Sequence, residues 1–214
     1  MEQKSGQNRI ILSSDDANRS FRPEEVEAIA PIIRSAAVLI CQLEVPLETV
    51  ERALHIAHEA GVITIFNPAP AQAHIPHSLY RNVDYLIPNE TETEILLGGH
   101  FRIDDLSSTL DAGLNIMAKG VRKGMIITMG DQGAVIVKRD GHIRSFPAKS
   151  VPKVVDTTGA GDCFVAAFAV GLVKEKLPIE GAVHLALSAA SLAIQKKGAR
   201  DSMPFRKEMT LDNH

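Results

Sequence analysis

The 214-residue chain has 45% hydrophobic and 23% charged residues, which excludes a disordered tail, a collagen-like chain or a disulfide scaffold. Its formal net charge of -3 gives no basic excess of the kind that draws proteins to nucleic acid or anionic lipid. The longest apolar runs are far shorter than the ~20 residues of a membrane helix, and the polar start shows no secretory signal. We therefore expect a cytoplasmic protein with a small-molecule partner, no nucleic acid and no membrane. Reduced thiols are expected at Cys41 and Cys163.

Short β-rich runs alternate along the chain with longer helical patterns, which is typical of an α/β fold around a mostly parallel sheet. The predicted elements, in chain order, are a strand at 9–13, a helix at 24–33, a strand at 36–42, a helix at 46–61, strands at 62–66 and 84–87, helices at 89–99 and 106–119, a strand at 125–128, a hairpin at 134–146, and helices at 162–173 and 179–195. Pro31 should bend or restart the first helix because it lacks an amide hydrogen. No repeat, linker or boundary is visible, so we interpret residues 1–214 as one domain.

Residues 154–164 carry the clearest chemical signal. A β-rich run is followed by the small residues Gly159, Ala160 and Gly161 and then by a helical pattern that contains Asp162. Small residues at a helix start let successive backbone N–H groups approach an anion, so the segment predicts a phosphate site. Asp162 at its mouth would take a proton from an attacking hydroxyl. On spacing alone, a simple helix cap after a glycine turn is an equally good interpretation of Asp162.

The run at residues 156–162, Asp-Thr-Thr-Gly-Ala-Gly-Asp, resembles the C-terminal signature of the ribokinase-like (PfkB) sugar kinases. Further segments resemble the same family in order and spacing, namely residues 42–44, 66–71, 88–92 and 197–199. The Asn-Pro-Ala-Pro run at 67–70 resembles the ribose-phosphorylating members more than the adenosine or fructose kinases. The resemblance extends from about Gln7 to Pro204. It implies a ribokinase-like, three-layer α/β/α fold with a mostly parallel central sheet.

This resemblance implies ATP-dependent phosphorylation of D-ribose to D-ribose 5-phosphate, with Asp162 as the base. Glu44 would accept hydrogen bonds from ribose hydroxyls, although composition alone would make it a solvated surface carboxylate. The implied ATP-contacting residues are Asn89, Thr128, Gly130, Asp131, Gly133, Gly159, Ala160, Gly161 and Asp162. Asn89 is also a candidate helix N-cap, and both roles can hold together. Without the resemblance, residues 128–133 would be interpreted as an ordinary turn.

The resemblance also implies two metal ions. Mg²⁺ would accompany ATP, with Glu92 acting on it through water, consistent with its preference for hard oxygen ligands. Potassium would act as an activator and order the anion site, held by Asp156, Thr158, Ile194, Lys196, Gly198 and Ser202. Leu187 departs from the family, whose members tend to carry a polar residue near the adenine at this position. The contacts to the base are therefore expected to differ.

The family's N-terminal strand, with its sugar-binding Asp, its Gly-Gly-x-Gly-x-Asn segment and its lid strands, has no counterpart in this sequence. We therefore expect a domain that is incomplete at its N-terminus. Without the lid strands, the sugar site would lose contacts and be less well shielded from water. A homodimer contact would also be weakened. Two alternatives stay open: a catalytically impaired chain that binds only nucleotide, and another PfkB kinase acting on a different sugar or nucleoside.

Overall fold

The computed structural model describes residues 17–209. Within this range the chain divides into two compact units, each described by itself below. The sheet unit consists of residues 17–129 and 135–145, and the helical unit consists of residues 130–134 and 146–209. The strand expected at residues 9–13 lies outside the described residues. The single domain expected over residues 1–214 stays a prediction.

The sheet unit alternates strands with helices along most of its length. Its helices are α1 (Ala17–Ser20), α2 (Pro23–Ala28), α3 (Ala30–Ser35), α4 (Leu47–Glu59), α5 (His77–Tyr80), α6 (Glu90–Leu96) and α7 (Leu106–Met117). The strands are β1 (Val38–Cys41), β2 (Ile63–Phe66), β3 (Tyr85–Leu86), β4 (Gly124–Thr128), β5 (Ala134–Val137) and β6 (Ile143–Phe146). The short helix α5 was not expected from the sequence.

The six strands lie side by side in chain order, and β1 to β4 are parallel. This confirms the α/β fold with a mostly parallel sheet. The central strands are continuous apolar runs, such as Met125, Ile126 and Ile127 in β4, and these residues are fully buried. Burial of successive residues is expected where helices cover both faces of a parallel sheet. The carboxyl ends of β1 to β4 therefore meet along one edge.

Pro31 interrupts the first helical segment, as the sequence predicted. The break falls at Ile29, whose backbone leaves the helical region, and Pro31 lies in the first turn of α3. A missing amide costs nothing in a first turn, because those N–H groups have no partner within the helix. Val26 and Ile33, on either side of the break, pack in one apolar cluster with Ile56 of α4.

The helical unit contains two long apolar helices, α8 (Ala160–Val173) and α9 (Ile179–Ala193). They approach closely, since a Cβ added at Gly171 of α8 would lie 2.9 Å from the Cα of Ala182 in α9. Short 3₁₀ turns occur at Gly130–Gln132 and Arg206–Glu208. Across residues 17–209, no helix is both long and apolar enough to cross a bilayer.

Helix α8 starts two residues before the expected position. Gly159, in the left-handed region with φ 77°, is the N-cap residue, and Ala160 is the first helical residue. The difference matters for the chemistry, because Asp162 then lies in the first turn of the helix and is not its cap. In the same helix Cys163 is a buried free thiol, and the free thiol of Cys41 is half-buried.

Candidate active site

The loop that precedes α8 depends on a glycine at position 159. Its positive φ is a conformation that residues with side chains rarely adopt. A Cβ there would also lie 3.1 Å from the Cβ of Ala199 and 3.2 Å from the Cε of Met203. The next amide, that of Ala160, donates to the Thr157 carbonyl at 3.2 Å, so the turn is closed locally. The backbone conformation therefore requires Gly159, and a side chain there would also crowd Ala199 and Met203.

At position 161, by contrast, neither the backbone conformation nor the packing requires a glycine. Gly161 is exposed, and a Cβ added there would meet nothing within 4 Å. A glycine in a helix costs up to about 1 kcal/mol relative to alanine, so its lack of a side chain is a net loss for stability. Because Cα–Cβ bonds tilt toward the helix N-terminus, a side chain here would project into the space before the first-turn amides. The glycine leaves that space open to an anion, and exposed Asp162 follows it in the same turn.

Asp156 joins the loop before α8 to the segment after α9. Its Oδ1 accepts from the hydroxyl of Thr158 at 2.7 Å and from the Thr158 amide at 3.0 Å. Its Oδ2 accepts from the amide of Gly198 at 2.9 Å. The bond from the Thr158 hydroxyl, followed by the bond from the Gly198 amide, lowers the pKa of Asp156 to about 2. The negatively charged Asp156 carboxylate therefore connects, through hydrogen bonds, two segments that are far apart in the sequence.

The Ile194 carbonyl also connects the loop before α8 to the segment after α9. It accepts from the amide of Val155 at 2.8 Å and from the amide of Asp156 at 3.2 Å. Four residues of the expected potassium set are thus linked by hydrogen bonds, namely Asp156, Thr158, Ile194 and Gly198. Their carboxylate, hydroxyl and carbonyl oxygens are ligands of the kind that suits a monovalent cation.

The other two residues of the potassium set lie in the same segment but are engaged differently. Ser202 is fully buried, and its hydroxyl donates to the carbonyl of Ala199 at 3.2 Å. The side chain of Lys196 pairs with Glu208 at 3.4 Å. Lys196 can therefore offer a cation only its carbonyl oxygen, since an ammonium group is not a ligand.

Asn89 and Glu92 form a reciprocal cap at the start of α6. The Asn89 side chain accepts from the amide of Glu92 at 2.8 Å, and the Glu92 carboxylate accepts from the amide of Asn89 at 2.8 Å. The N-cap interpretation of Asn89 is confirmed. Burial raises the pKa of Glu92, and the bond from Asn89 opposes that shift only in part. A half-buried carboxylate with a raised pKa is one whose charge a nearby cation would stabilise.

Asn89 also lies beside Thr128, at the carboxyl ends of β3 and β4. The two residues form a parallel bridge, and the amide of Thr128 donates to the carbonyl of Pro88 at 3.0 Å. No cluster of three or more His, Cys, Asp or Glu side chains that could hold a metal occurs within residues 17–209. A magnesium ion here would therefore depend mainly on phosphate and water oxygens, which is its usual mode with nucleotides.

The glycines of the loop after β4 have different roles. A Cβ at Gly133 would lie 2.0 Å from the carbonyl oxygen of Phe146 and 2.5 Å from the amide nitrogen of Ala148. Packing alone therefore requires Gly133. Gly130, with φ 53°, has nothing within 4 Å of an added Cβ, and Asp131 beside it is exposed. Within this loop, Gly130 and Asp131 are therefore the residues that a ligand could approach.

The region around Glu44 contains a contact that the sequence did not reveal. Glu44 is exposed and is the third residue beyond the end of β1. The side-chain amide of Gln42 donates to Asn67 Oδ1 at 2.8 Å, and the side-chain amide of Asn67 donates to the carbonyl of Ile87 at 2.6 Å. The only signal for it in the sequence is an amide side chain directly after each of two apolar strands.

Leu187 lies on α9 and is 8% exposed. On the same helix, the ring of His184 meets Phe146 edge-on with centroids 5.1 Å apart, and the Ser188 hydroxyl lies 3.4 Å from the Lys149 ammonium. An apolar Leu187 offers no hydrogen bond to a base. The expected difference in adenine contacts stays a prediction.

Comparison with known proteins identifies the family to which this chain belongs. The pfkB family carbohydrate kinase model matches residues 1–206. A ribokinase of Schizosaccharomyces pombe is 38% identical over 207 residues, which is 97% of this chain and 64% of that protein. The crystal structure of a Thermotoga maritima ribokinase matches with a TM-score of 0.82 and 35% identity, over 96% of this chain and 65% of that one.

A structure of Arabidopsis thaliana ribokinase complexed with ribose and ATP matches with a TM-score of 0.84 and 32% identity. The match covers 95% of this chain and 64% of that one. The chain thus spans a little under two thirds of the length of each of these three relatives.

Proposed function

Since this chain belongs to the pfkB family of carbohydrate kinases, we propose that it transfers the γ-phosphoryl group of ATP to D-ribose, giving ADP and D-ribose 5-phosphate. The observation that carries the proposal is the open space before the first-turn amides of α8, with Asp162 in that same turn. The names of the relatives support the choice of ribose, and the Arabidopsis structure holds both ribose and ATP.

In the proposed reaction, the N-terminus of α8 stabilises the transferring phosphoryl group. Its amides and the positive end of the helix dipole face the space that Gly161 leaves open. The Asp162 carboxylate accepts the proton of the ribose 5-hydroxyl while that oxygen bonds to the γ-phosphorus. The bond from the γ-phosphorus to the β,γ-bridging oxygen breaks, and ADP leaves. Glu44 accepts hydrogen bonds from other ribose hydroxyls.

Two cations complete the proposal. Asn89 and Glu92 would act on Mg²⁺ through its water shell, and bound Mg²⁺ neutralises charge on the ATP phosphates. Potassium would be held by oxygens of Asp156, Thr158, Ile194, Lys196, Gly198 and Ser202. Bound potassium would add a fixed positive charge beside the loop that leads into α8.

The test is ribose-dependent release of ADP by the purified chain in Mg²⁺ and K⁺, with the sugar product identified by ³¹P NMR. Asp162→Asn should lower kcat by about 10² to 10⁴, because it removes only the proton acceptor. ATP binding, measured by calorimetry, should persist in that variant. Asp111→Asn is the matched control, since Asp111 is an exposed carboxylate on α7.

Each outcome decides between the interpretations. Full turnover by Asp162→Asn would rule out this residue as the base. A wild-type chain that binds ATP but releases no ADP with ribose would support the nucleotide-binding alternative. Turnover with another sugar or a nucleoside, but not with ribose, would keep the family and replace the substrate.

A further inference from the structure

Three residues follow the ends of neighbouring strands in the sheet unit. Cys41, the last residue of β1, is paired with Phe66 of β2, and Phe66 is paired with Leu86 of β3. The next residues in the three strands are Gln42, Asn67 and Ile87. They therefore extend one row of the sheet beyond its carboxyl edge, where open α/β sheets bind their ligands.

Side-chain amides cross-link this row. Gln42 donates through Nε2 to Oδ1 of Asn67 at 2.8 Å, and Asn67 donates through Nδ2 to the carbonyl of Ile87 at 2.6 Å. Because the amide of Asn67 uses its oxygen toward one strand and its nitrogen toward the other, its orientation is fixed from both sides. Both side chains are half-buried, where such bonds are less exposed to competition from water.

The two ends of this bridge each lie two residues from a proposed ligand contact. Glu44 follows Gln42 by two positions, and Asn89 follows Ile87 by two positions. Two backbone bonds stiffen the same region: the amide of Leu43 donates to Ala69 at 2.8 Å, and that of Asn67 donates to Cys41 at 2.9 Å. A displacement of about 1 Å in a binding group is enough to reduce turnover strongly.

We propose that Gln42 and Asn67 are positioning residues, whose amide bridge fixes the sugar-binding Glu44 relative to the nucleotide-binding Asn89. This inference rests on the proposed function and adds to it a link between the two substrate sites. Gln42 lies at the Glu44 end of the bridge, where it donates to Asn67, so its loss releases Glu44. Asn67 contacts both sides, so its loss releases Glu44 and Asn89 together.

A purely structural role would give a different result, and the opposite edge of the sheet supplies the comparison. Thr64, buried in β2, donates to the carbonyl of Asn82 at 2.7 Å and accepts from the amide of Asp84 at 2.8 Å. It therefore links β2 to the start of β3 as Asn67 links β2 to the end of β3. Thr64→Val removes these bonds, which involve none of Gln42, Asn67 and Ile87, so it is the matched control.

The experiment measures KM for ribose and for MgATP separately, together with urea unfolding, for the complete chain. Gln42→Leu should raise KM for ribose about tenfold, the usual effect of losing about one positioning interaction, and leave KM for MgATP unchanged. Asn67→Ala should raise both KM values. The double variant should match Asn67→Ala in KM for ribose, because one broken bridge cannot be broken again. Thr64→Val should lose stability and keep both KM values.

Unchanged KM for ribose in Gln42→Leu, or an equal rise in Thr64→Val, would overturn the positioning role while leaving the proposed function intact. A wild-type chain that does not phosphorylate ribose would overturn the proposed function and this inference with it. If Asn67→Ala fails to fold, Gln42→Leu still decides the question, because it removes only one bond of the bridge.

Discussion

Replacing Gly161 by alanine should separate an effect on stability from an effect on catalysis. The new methyl group meets no atom within 4 Å, and no positive φ stands in its way. Alanine is preferred over glycine in a helix by up to about 1 kcal/mol, and less in a first turn. The unfolding free energy of Gly161→Ala should therefore equal or slightly exceed that of the wild type.

The same methyl group should damage catalysis. It leans toward the N-terminus of α8, into the space proposed for the transferring phosphoryl group. Displacing that group from one backbone donor is expected to cost about 10² to 10³ in kcat, or ~2.7–4 kcal/mol of transition-state stabilisation. The assay is ribose-dependent ADP release, with urea unfolding measured on the same preparation.

Gly171→Ala is the matched control, because it makes the same substitution further along α8. Its added Cβ would lie 2.9 Å from the Cα and 3.0 Å from the Cβ of Ala182. Overpacking of this kind typically costs ~1–3 kcal/mol, so the control should lose stability and keep the kcat of its folded fraction. A Gly161→Ala variant with wild-type kcat would refute the placement of the phosphoryl group at this helix end.

Three further outcomes are expected. Asp84→Ala should lower the unfolding free energy, measured in urea, by about 2–3 kcal/mol, because the buried carboxylate of Asp84 pairs with the half-exposed Arg122 at 3.2 Å. A much smaller loss would mean that this ion pair contributes no more than a surface ion pair does. Asp156→Asn should lower the free energy of unfolding at neutral pH, and this difference from the wild type should disappear in acid. The reason is that folding lowers the pKa of Asp156 from 3.8 to about 2, so the stabilisation by its carboxylate is fully present above pH 3.8 and is lost as the pH falls through about 2. A deficit independent of pH, measured in potassium-free buffer, would contradict this. Exchanging potassium for choline should lower kcat, and Ser202→Ala should reduce that ion effect; identical rates in the two salts would remove potassium from the proposal.

Much of the architecture follows from local patterns in the sequence. Alternating apolar strands and helices predicted the parallel sheet, and Pro31 predicted the break between α2 and α3. Asn89 was recognisable as a helix cap, since capping depends on neighbours within three residues. The start of α8 was misplaced by two residues, because the left-handed conformation of Gly159 leaves no periodic signal.

The candidate site was predicted only in part, and the unpredicted part has one physical cause. The sequence located the small-residue loop and Asp162, because a helix start is a local feature. It also marked Gly133 as a nucleotide contact, which stays a prediction, but it did not reveal that Phe146 and Ala148 leave no room for a side chain there. A glycine looks the same in sequence whether it makes space for a ligand or for the protein's own backbone.

By itself, the sequence determined the fold class, the family and the chemical character of the residues at the strand ends. Only the tertiary structure decided which of them meet: Asp156 with Gly198, and Gln42 with Asn67. These partners are 42 and 25 residues apart. Contacts at such separations form because strands and helices pack in one particular register, and that register depends on the burial of many apolar side chains at once rather than on any local motif.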